Sequence, residues 1–393
     1  MTRRIPRLFN DFFNSEKTGG FLLIICTIIS LVIANSSQGG DWLHWIHEKT
    51  GFSIGGFNLN LSREHWVNDG LMAIFFLLVG LEVEREIYVG ELSNFKKAIL
   101  PVAAALGGML VPALIYALIN LNSGYSSGFA IPMATDIAFA LGILSLAGRR
   151  VHPSVKVFLA ALAIIDDIGA IIMIAVFYTS TIYFGYLVAA FGILIGLFIL
   201  NRLRVGNLLF YLLPGVVMWY CFLQSGVHAT IAGVLLAFAI PFQGDNDNNV
   251  SYKLQHFLHK PVAFLIVPVF ALVNTAIVLP ADLVSSLSSP VSLGIICGLF
   301  IGKLTGIFLF PFILVKTGIA NLQAGITWNA LAGIGLLGGI GFTMSIFITN
   351  LAFTDPDIIT SAKISILAGS CIAAISGLIV FITRKKRRLV QRL

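Results

Sequence analysis

Charge is scarce in this chain of 393 residues. Asp, Glu, Lys and Arg together make up 11% of it, against about 25% in an ordinary soluble domain. Hydrophobic residues make up 58%, and the mean hydropathy is +0.94. A water-soluble globule is excluded. At ~20 apolar residues per bilayer crossing, a dozen crossings take about 240 residues and leave no room for a large soluble domain. The chain therefore reads as one unit over 1–393, with a membrane region at 18–382 and a basic tail at 383–393.

Other absences narrow the function. The four cysteines, Cys26, Cys221, Cys297 and Cys371, lie inside apolar runs without metal-ligand spacing, so neither a disulfide frame nor a cysteine metal site is expected. No G-x-x-x-x-G-K-[ST] loop appears, which leaves ATP-driven pumping without an engine. No cofactor is called for. The net charge of +7 could point to nucleic acid, but a spanning protein collects Lys and Arg on one side for orientation alone. No nucleic-acid partner is expected. Arg3, Arg4 and Arg7 precede an apolar stretch, as in a signal peptide, yet no A-x-A site follows, so a first spanning helix is expected instead.

Hydropathy windows give twelve spans, at approximately 19–35, 67–88, 98–119, 130–147, 155–177, 183–200, 206–222, 226–240, 261–278, 291–315, 328–350 and 361–382. An even count puts both ends on one side. With the ends inside, 21 of the 25 basic residues fall on inner segments, as the positive-inside rule requires. Lys49, Arg63 and Lys363 lie outside, and Lys303 falls within span ten. Between spans one and two, GFSIGGFNLNLS alternates apolar residues around Gly55-Gly56, the pattern of a β-hairpin. An isolated hairpin is marginal in water, so pairing with a second copy, and hence a homodimer through 51–62, is expected. The alternative is a hairpin lying flat on its own membrane domain.

Ionisable residues at membrane depth carry the functional signal, since each costs ~2.5–3.5 kcal/mol on insertion scales. Asp136 lies in span four, Asp166 and Asp167 lie in span five, and Lys303 lies in span ten. After one carboxylate pairs with Lys303, an acidic excess remains, which protons or cations must neutralise. Adjacent helical residues project about 100° apart. One of Asp166 and Asp167 could then face an aqueous funnel while the other reaches Lys303. A carboxylate that titrates near neutrality can hold either a proton or a hard cation such as Na+. The competing reading is a buried ion-pair network that sets helix packing only.

Breakers accompany these charges. Pro132 lies four residues before Asp136, and AGIGLLGGIGFTMSIFI in span eleven places Gly333, Gly335, Gly338, Gly339 and Gly341 within nine positions. Both spans are expected to be interrupted at mid-membrane, at matching places if spans 3–5 and 10–12 form inverted repeats. Asp136 would then compensate positive helix ends and Lys303 negative ones. Thr135 and Thr343 would offer hydroxyls to freed backbone groups. Close helix packing is the other use for the glycines.

At these residues the sequence resembles the NhaA-type sodium/proton antiporters of bacterial inner membranes. NDGLMAIFFLLVGLEVEREI at 68–87, ATDIAFALG at 134–142, FLALAIIDDIGAIIMIA at 158–174, SGVHATIAG at 225–233 and GIGFTMSIFI at 339–348 carry the likeness, in that family's order. The resemblance implies an all-α, twelve-helix exchanger in the inner membrane, with both termini cytoplasmic. It would expel Na+ or Li+ by taking in protons, electrogenically and by alternating access. It implies that Asp166 and Asp167 bind cation and protons, with the transported Na+ as the only metal, and that Asp136 and Lys303 compensate the helix breaks. It also implies pH gating from the inner side, where Glu82, Arg85 and Glu86 end span two and His256 and His259 precede span nine. The chain departs from the family at Gln255, where a glutamate is expected, and this removes a titratable partner. His228 is expected to be a buried imidazole bonded to a neighbour, and Asp69 to lie at the outer end of span two.

Other classes fit less well. An intramembrane aspartyl protease needs its acids on separate helices and a G-x-G-D motif, which is absent. A channel needs a carbonyl-lined filter, and Lys303 opposes fast cation flow. A sodium-coupled solute symporter would need an organic substrate. The chain is read as a transporter and not an enzyme.

Overall fold

A computed structural model describes residues 5–54, 57–179, 182–242 and 249–383, giving backbone alone at 5–17, 54, 57, 58, 91 and 149. Arg3, Arg4, the Gly55-Gly56 turn and residues 384–393 of the basic tail lie outside the described residues.

In chain order the helices are α1 (Ile5–Ala34), α2 (Gly39–His47), α3 (Arg63–Tyr88), α4 (Phe95–Ile119), α5 (Ile137–Leu146), α6 (Pro153–Phe177), α7 (Phe184–Arg202), α8 (Leu209–Ser225), α9 (Ile231–Ala239), α10 (Val250–Asn274), α11 (Pro290–Lys316), α12 (Trp328–Gly338), α13 (Phe342–Ala352) and α14 (Pro356–Thr383). A 3-10 segment, Ser126–Met133, leads into α5, and a short helix, Leu283–Leu287, precedes α11. The helices α3, α4, α6, α7, α10, α11 and α14 are each long and apolar enough to cross a bilayer. Three bent pairs raise the number to ten among the described residues. They are Thr18–Ala34 with α2 at 114°, Ser126–Met133 with α5 at 42°, and α12 with α13 at 44°.

The expected spans seven and eight are helical but short, with 17 residues in α8 and 9 in α9. The reason is local. Gly226, at φ +83°, caps α8 in the left-handed region that glycine tolerates, and Val227–Thr230 form a turn where the sequence pattern gave helix. The 114° bend likewise turns α2 away from the axis of α1, so α2 belongs to the segment between the expected spans one and two.

Apolar side chains cover the outside of the bundle. Phe21, Leu114 and Val188 are 66%, 60% and 69% exposed, a surface suited to lipid and not to water. The chain is a multi-pass membrane protein. All four cysteines are free.

The segment after α2 forms strands β1 (Lys49–Thr50), β2 (Ser53–Ile54), β3 (Phe57–Asn58) and β4 (Leu61–Ser62). Lys49 pairs with Ser62, Thr50 with Leu61, Ser53 with Asn58 and Ile54 with Phe57. The Leu59 N–H donates to the Phe52 carbonyl between the two ladders, so one register runs through both. An ion pair of 2.6 Å joins Arg63 to Glu48 at the base of this ribbon. The Arg63 guanidinium, through hydrogen bond and charge, holds the Glu48 carboxyl below the ordinary carboxylate range.

In the interior, α4 and α11 cross at backbone contact. A Cβ at Gly107 would strike the Gly306 carbonyl, and one at Gly306 would strike Gly107, which is the small-residue crossing expected of membrane helices. Directly before Lys303, residues Gly298–Gly302 form a wide π turn, a distortion that recurs at functional positions.

Candidate cation and proton site

The two interrupted spans meet at their breaks. Ala134 and Asp136 are extended, α5 starts only at Ile137, and α13 starts at Phe342. The Asp136 N–H donates to the Ile340 carbonyl at 2.6 Å, so one broken strand of backbone satisfies the other. The glycines of span eleven serve both uses. Gly339 and Gly341 lie at the break, whereas a Cβ at Gly335 would press on Leu304 and one at Gly338 on Ile307.

Asp136 caps two helices together. Its Oδ1 accepts from the Phe139 N–H of α5 at 3.0 Å. Its Oδ2 accepts from the N–H and hydroxyl of Thr343 in α13 at 3.1 and 2.6 Å. The carboxylate thus sits where two helix N-termini direct partial positive charge. Thr343 spends its hydroxyl on Asp136 and not on a freed backbone group as expected, because its own N–H faces the same oxygen.

Lys303, wholly buried, donates to Asp166 Oδ2 at 2.5 Å and to Thr135 Oγ1 at 2.9 Å. Thr135 Oγ1 lies 2.7 Å from Asp166 Oδ2 and 2.8 Å from the Gly338 carbonyl at the end of α12. Its one proton serves one of the two at a time. Lys303 therefore reaches the negative end of α12 through Thr135 and not directly, since Asp166 takes its shortest bond.

Asp167 differs from its neighbours. It is 2% exposed, and its Oδ1, like Asp166 Oδ1, accepts no hydrogen bond among the described residues. The expectation that one acid reaches Lys303 holds for Asp166. The expectation that the other faces an aqueous funnel does not hold for Asp167, which helix packing covers. Among the described residues no group of three or more His, Cys, Asp or Glu could hold a metal ion.

The expected pH-sensing residues come together in part. His259 Nδ1 lies 3.9 Å from Glu82 Oε1. His256 is exposed and stacks on Tyr252 at 6.4 Å, on another face of α10. Arg85 and Glu86 are half-buried on α3. The sequence reading passed over Glu84, which is 5% exposed against the Ser251 hydroxyl. Its place in VEREI, at the end of a span, made it look solvated. Also missed was a buried amide cluster, in which Asn350 and Asn68 donate to Asn274 Oδ1 at 2.7 and 3.3 Å. An Asn inside the apolar run ALVNTAIV was the available signal.

At the opposite end from Glu82 lies a cavity of about 610 Å³ whose lining includes Glu64, Asp69, His228 and Lys363. His228 Nε2 lies 2.7 Å from the Tyr178 carbonyl, so the imidazole is bonded to a neighbour as expected but half-buried at the cavity wall and not fully buried.

The family profile described as Na+/H+ antiporter 1 matches residues 10–381. The chain belongs to that family. Among its relatives, the Na(+)/H(+) antiporter NhaA of Flavobacterium psychrophilum is 55% identical over 374 residues, which covers 95% of each chain. The Na(+)/H(+) antiporter NhaA 1 of Flavobacterium johnsoniae is 54% identical, covering 96% of this chain and 97% of its own. The NhaA protein of Dechloromonas aromatica is 54% identical over 94% of each chain. The solved sodium proton antiporter MjNhaP1 of Methanocaldococcus jannaschii aligns with 93% of this chain and 99% of its own, at 16% identity and a TM-score of 0.48. Membership of the Na+/H+ antiporter 1 family accords with a polytopic helical chain, and the family is one of transporters.

Proposed function

We propose that this chain exchanges intracellular Na+ or Li+ for external protons, with both competing for Asp166 and Asp167. One observation carries the reading: among the described residues, three carboxylates and a single ammonium share the buried crossing, and Asp167 has neither cation nor hydrogen-bond donor on Oδ1. A permanent charge without compensation is costly there, so a mobile proton or cation completes the site. The relatives named as Na+/H+ antiporters make sodium that cation.

The geometry supports a coupling route. Neutralising Asp166 frees the Lys303 ammonium and the Thr135 proton, which can turn to the Gly338 carbonyl at the end of α12. Occupancy of the acids thereby reaches a broken helix, the element that alternating access would move. Two acids per cation allow more protons than cations per cycle, which makes the exchange electrogenic. Twelve crossings with cytoplasmic termini in a bacterial inner membrane, inverted repeats over spans 3–5 and 10–12, and a homodimer through the 51–62 ribbon complete the proposal. The alternation of basic loops, the two matching breaks and the ribbon's unbroken register support them. We infer that regulation by pH acts at Glu82 and His259, 3.9 Å apart, with Arg85 and Glu86 on the same helix as Glu82.

The test is purified protein in proteoliposomes with an imposed pH gradient. Na+ or Li+ is expected to dissipate the gradient faster when an opposing-charge shunt is present, and Asp167→Asn to reduce this to the level of protein-free liposomes. Full activity in Asp167→Asn would overturn the assignment. Release of protons by the purified protein on adding Na+, lost in the same variant, checks the competition directly.

A further inference from the structure

Lys363 is a second buried ammonium, apart from the crossing. It is 8% exposed, lies in the second turn of α14 and lines the cavity of about 610 Å³ at the end of the bundle away from Glu82. It takes part in no hydrogen bond or ion pair of 4 Å or less with the described residues, and the acid that acts on it through space is Glu64. Glu64 is itself 3.7 Å from His47. Besides these, His65, Asp69, Tyr178 and His228 are the titratable groups that line the cavity. Two carboxylates alone would make this space a good resting place for a cation. An ammonium held among apolar neighbours and open to the cavity lowers its appetite for one.

We propose that Lys363 sets the sidedness of cation affinity: its fixed charge keeps the outer vestibule from rebinding Na+ that has just been released. The inference rests on the exchange reading above and on its placement of this cavity at the outer face. Lys363 does not touch the transported ion at Asp166 and Asp167. It acts through the field in the vestibule that Glu64 and Asp69 also line.

The experiment measures half-saturating Na+ separately at the outer and inner faces of proteoliposomes. Lys363→Gln is expected to lower the outer value several-fold, as removal of a like charge from a partly wet cavity does. The inner value should stay unchanged, and Lys363→Arg should match the parent. Glu64→Gln, at a residue whose side chain is 22% exposed, should shift the outer value the other way, and it keeps the test open if Lys363→Gln fails to fold. Unchanged outer values in the neutral variants, or equal shifts at both faces, would overturn the role of Lys363 while exchange itself persists. Absence of Na+-dependent proton movement in the parent protein would instead overturn the function on which this role is built.

Discussion

The two sides of the crossing hold their acids differently. Asp136 receives three hydrogen bonds from the starts of α5 and α13, so its charge is absorbed by fixed donors. On α6, Asp166 takes the one ammonium and one hydroxyl on its Oδ2, and Asp166 and Asp167 each keep an oxygen without a partner among the described residues. A carboxylate surrounded by preorganised donors has little use for a mobile ion, whereas an under-supplied pair in a low-dielectric setting depends on one. Burial does not distinguish the three, since each is at most 3% exposed. Donor supply does.

The largest effect should come from removing the single cation. Lys303→Met leaves Asp166 charged and wholly buried with only Thr135 as donor, and breaking a buried pair in this way costs about 3–5 kcal/mol in soluble proteins. Thermal denaturation in detergent should show a large loss for Lys303→Met, and Asp166→Asn in the same chain should restore much of it, because the orphaned charge disappears. Simple addition of the two single losses in that double variant would mean that the pair is not coupled as drawn.

A smaller effect separates Asp136 from Asp167. Asp136→Asn substitutes an amide nitrogen for one acceptor oxygen, so a donor faces either Phe139 or Thr343, and one or two charge-assisted bonds are lost. The melting temperature should fall by roughly 3–10 °C. Asp167→Asn removes a charge that no protein donor holds at Oδ1, so its melting temperature should stay level or rise even though exchange is lost. Equal falls in both variants would erase the distinction between a structural and an ion-binding acid.

Much of this division was legible in the sequence, and some was not. The charges at membrane depth and the Pro132 and glycine breaks follow from hydropathy and helical geometry, which act over a few residues, but these left open which of Asp166 and Asp167 reaches Lys303. The turn at Val227–Thr230 was invisible to a window of about 19 residues, because its four residues are averaged with the apolar helices on either side. The target of the Thr343 hydroxyl and the cover over Asp167 depend on how separate spans pack, a long-range property that no local pattern encodes. Of the expected pH-sensing residues, His259 lies 3.9 Å from Glu82, whereas α10 turns His256 outward.

That difference within α10 gives the smallest expected effect and the sharpest positional test. Glu82 and His259, 3.9 Å apart, link α3 to α10, and a pair of this kind contributes about 0.2–1 kcal/mol. If that contact carries the pH response, Glu82→Gln should shift the midpoint of the activity curve by a few tenths of a unit. His259→Gln removes the contact and the ring together and should flatten the curve. His256→Gln, stacked on Tyr252 and exposed, should leave both midpoint and steepness unchanged. Exchange measured between pH 6 and 9 in proteoliposomes separates these outcomes, and an equal shift in His256→Gln would place pH sensing on the whole surface of α10 and not on its contact with α3.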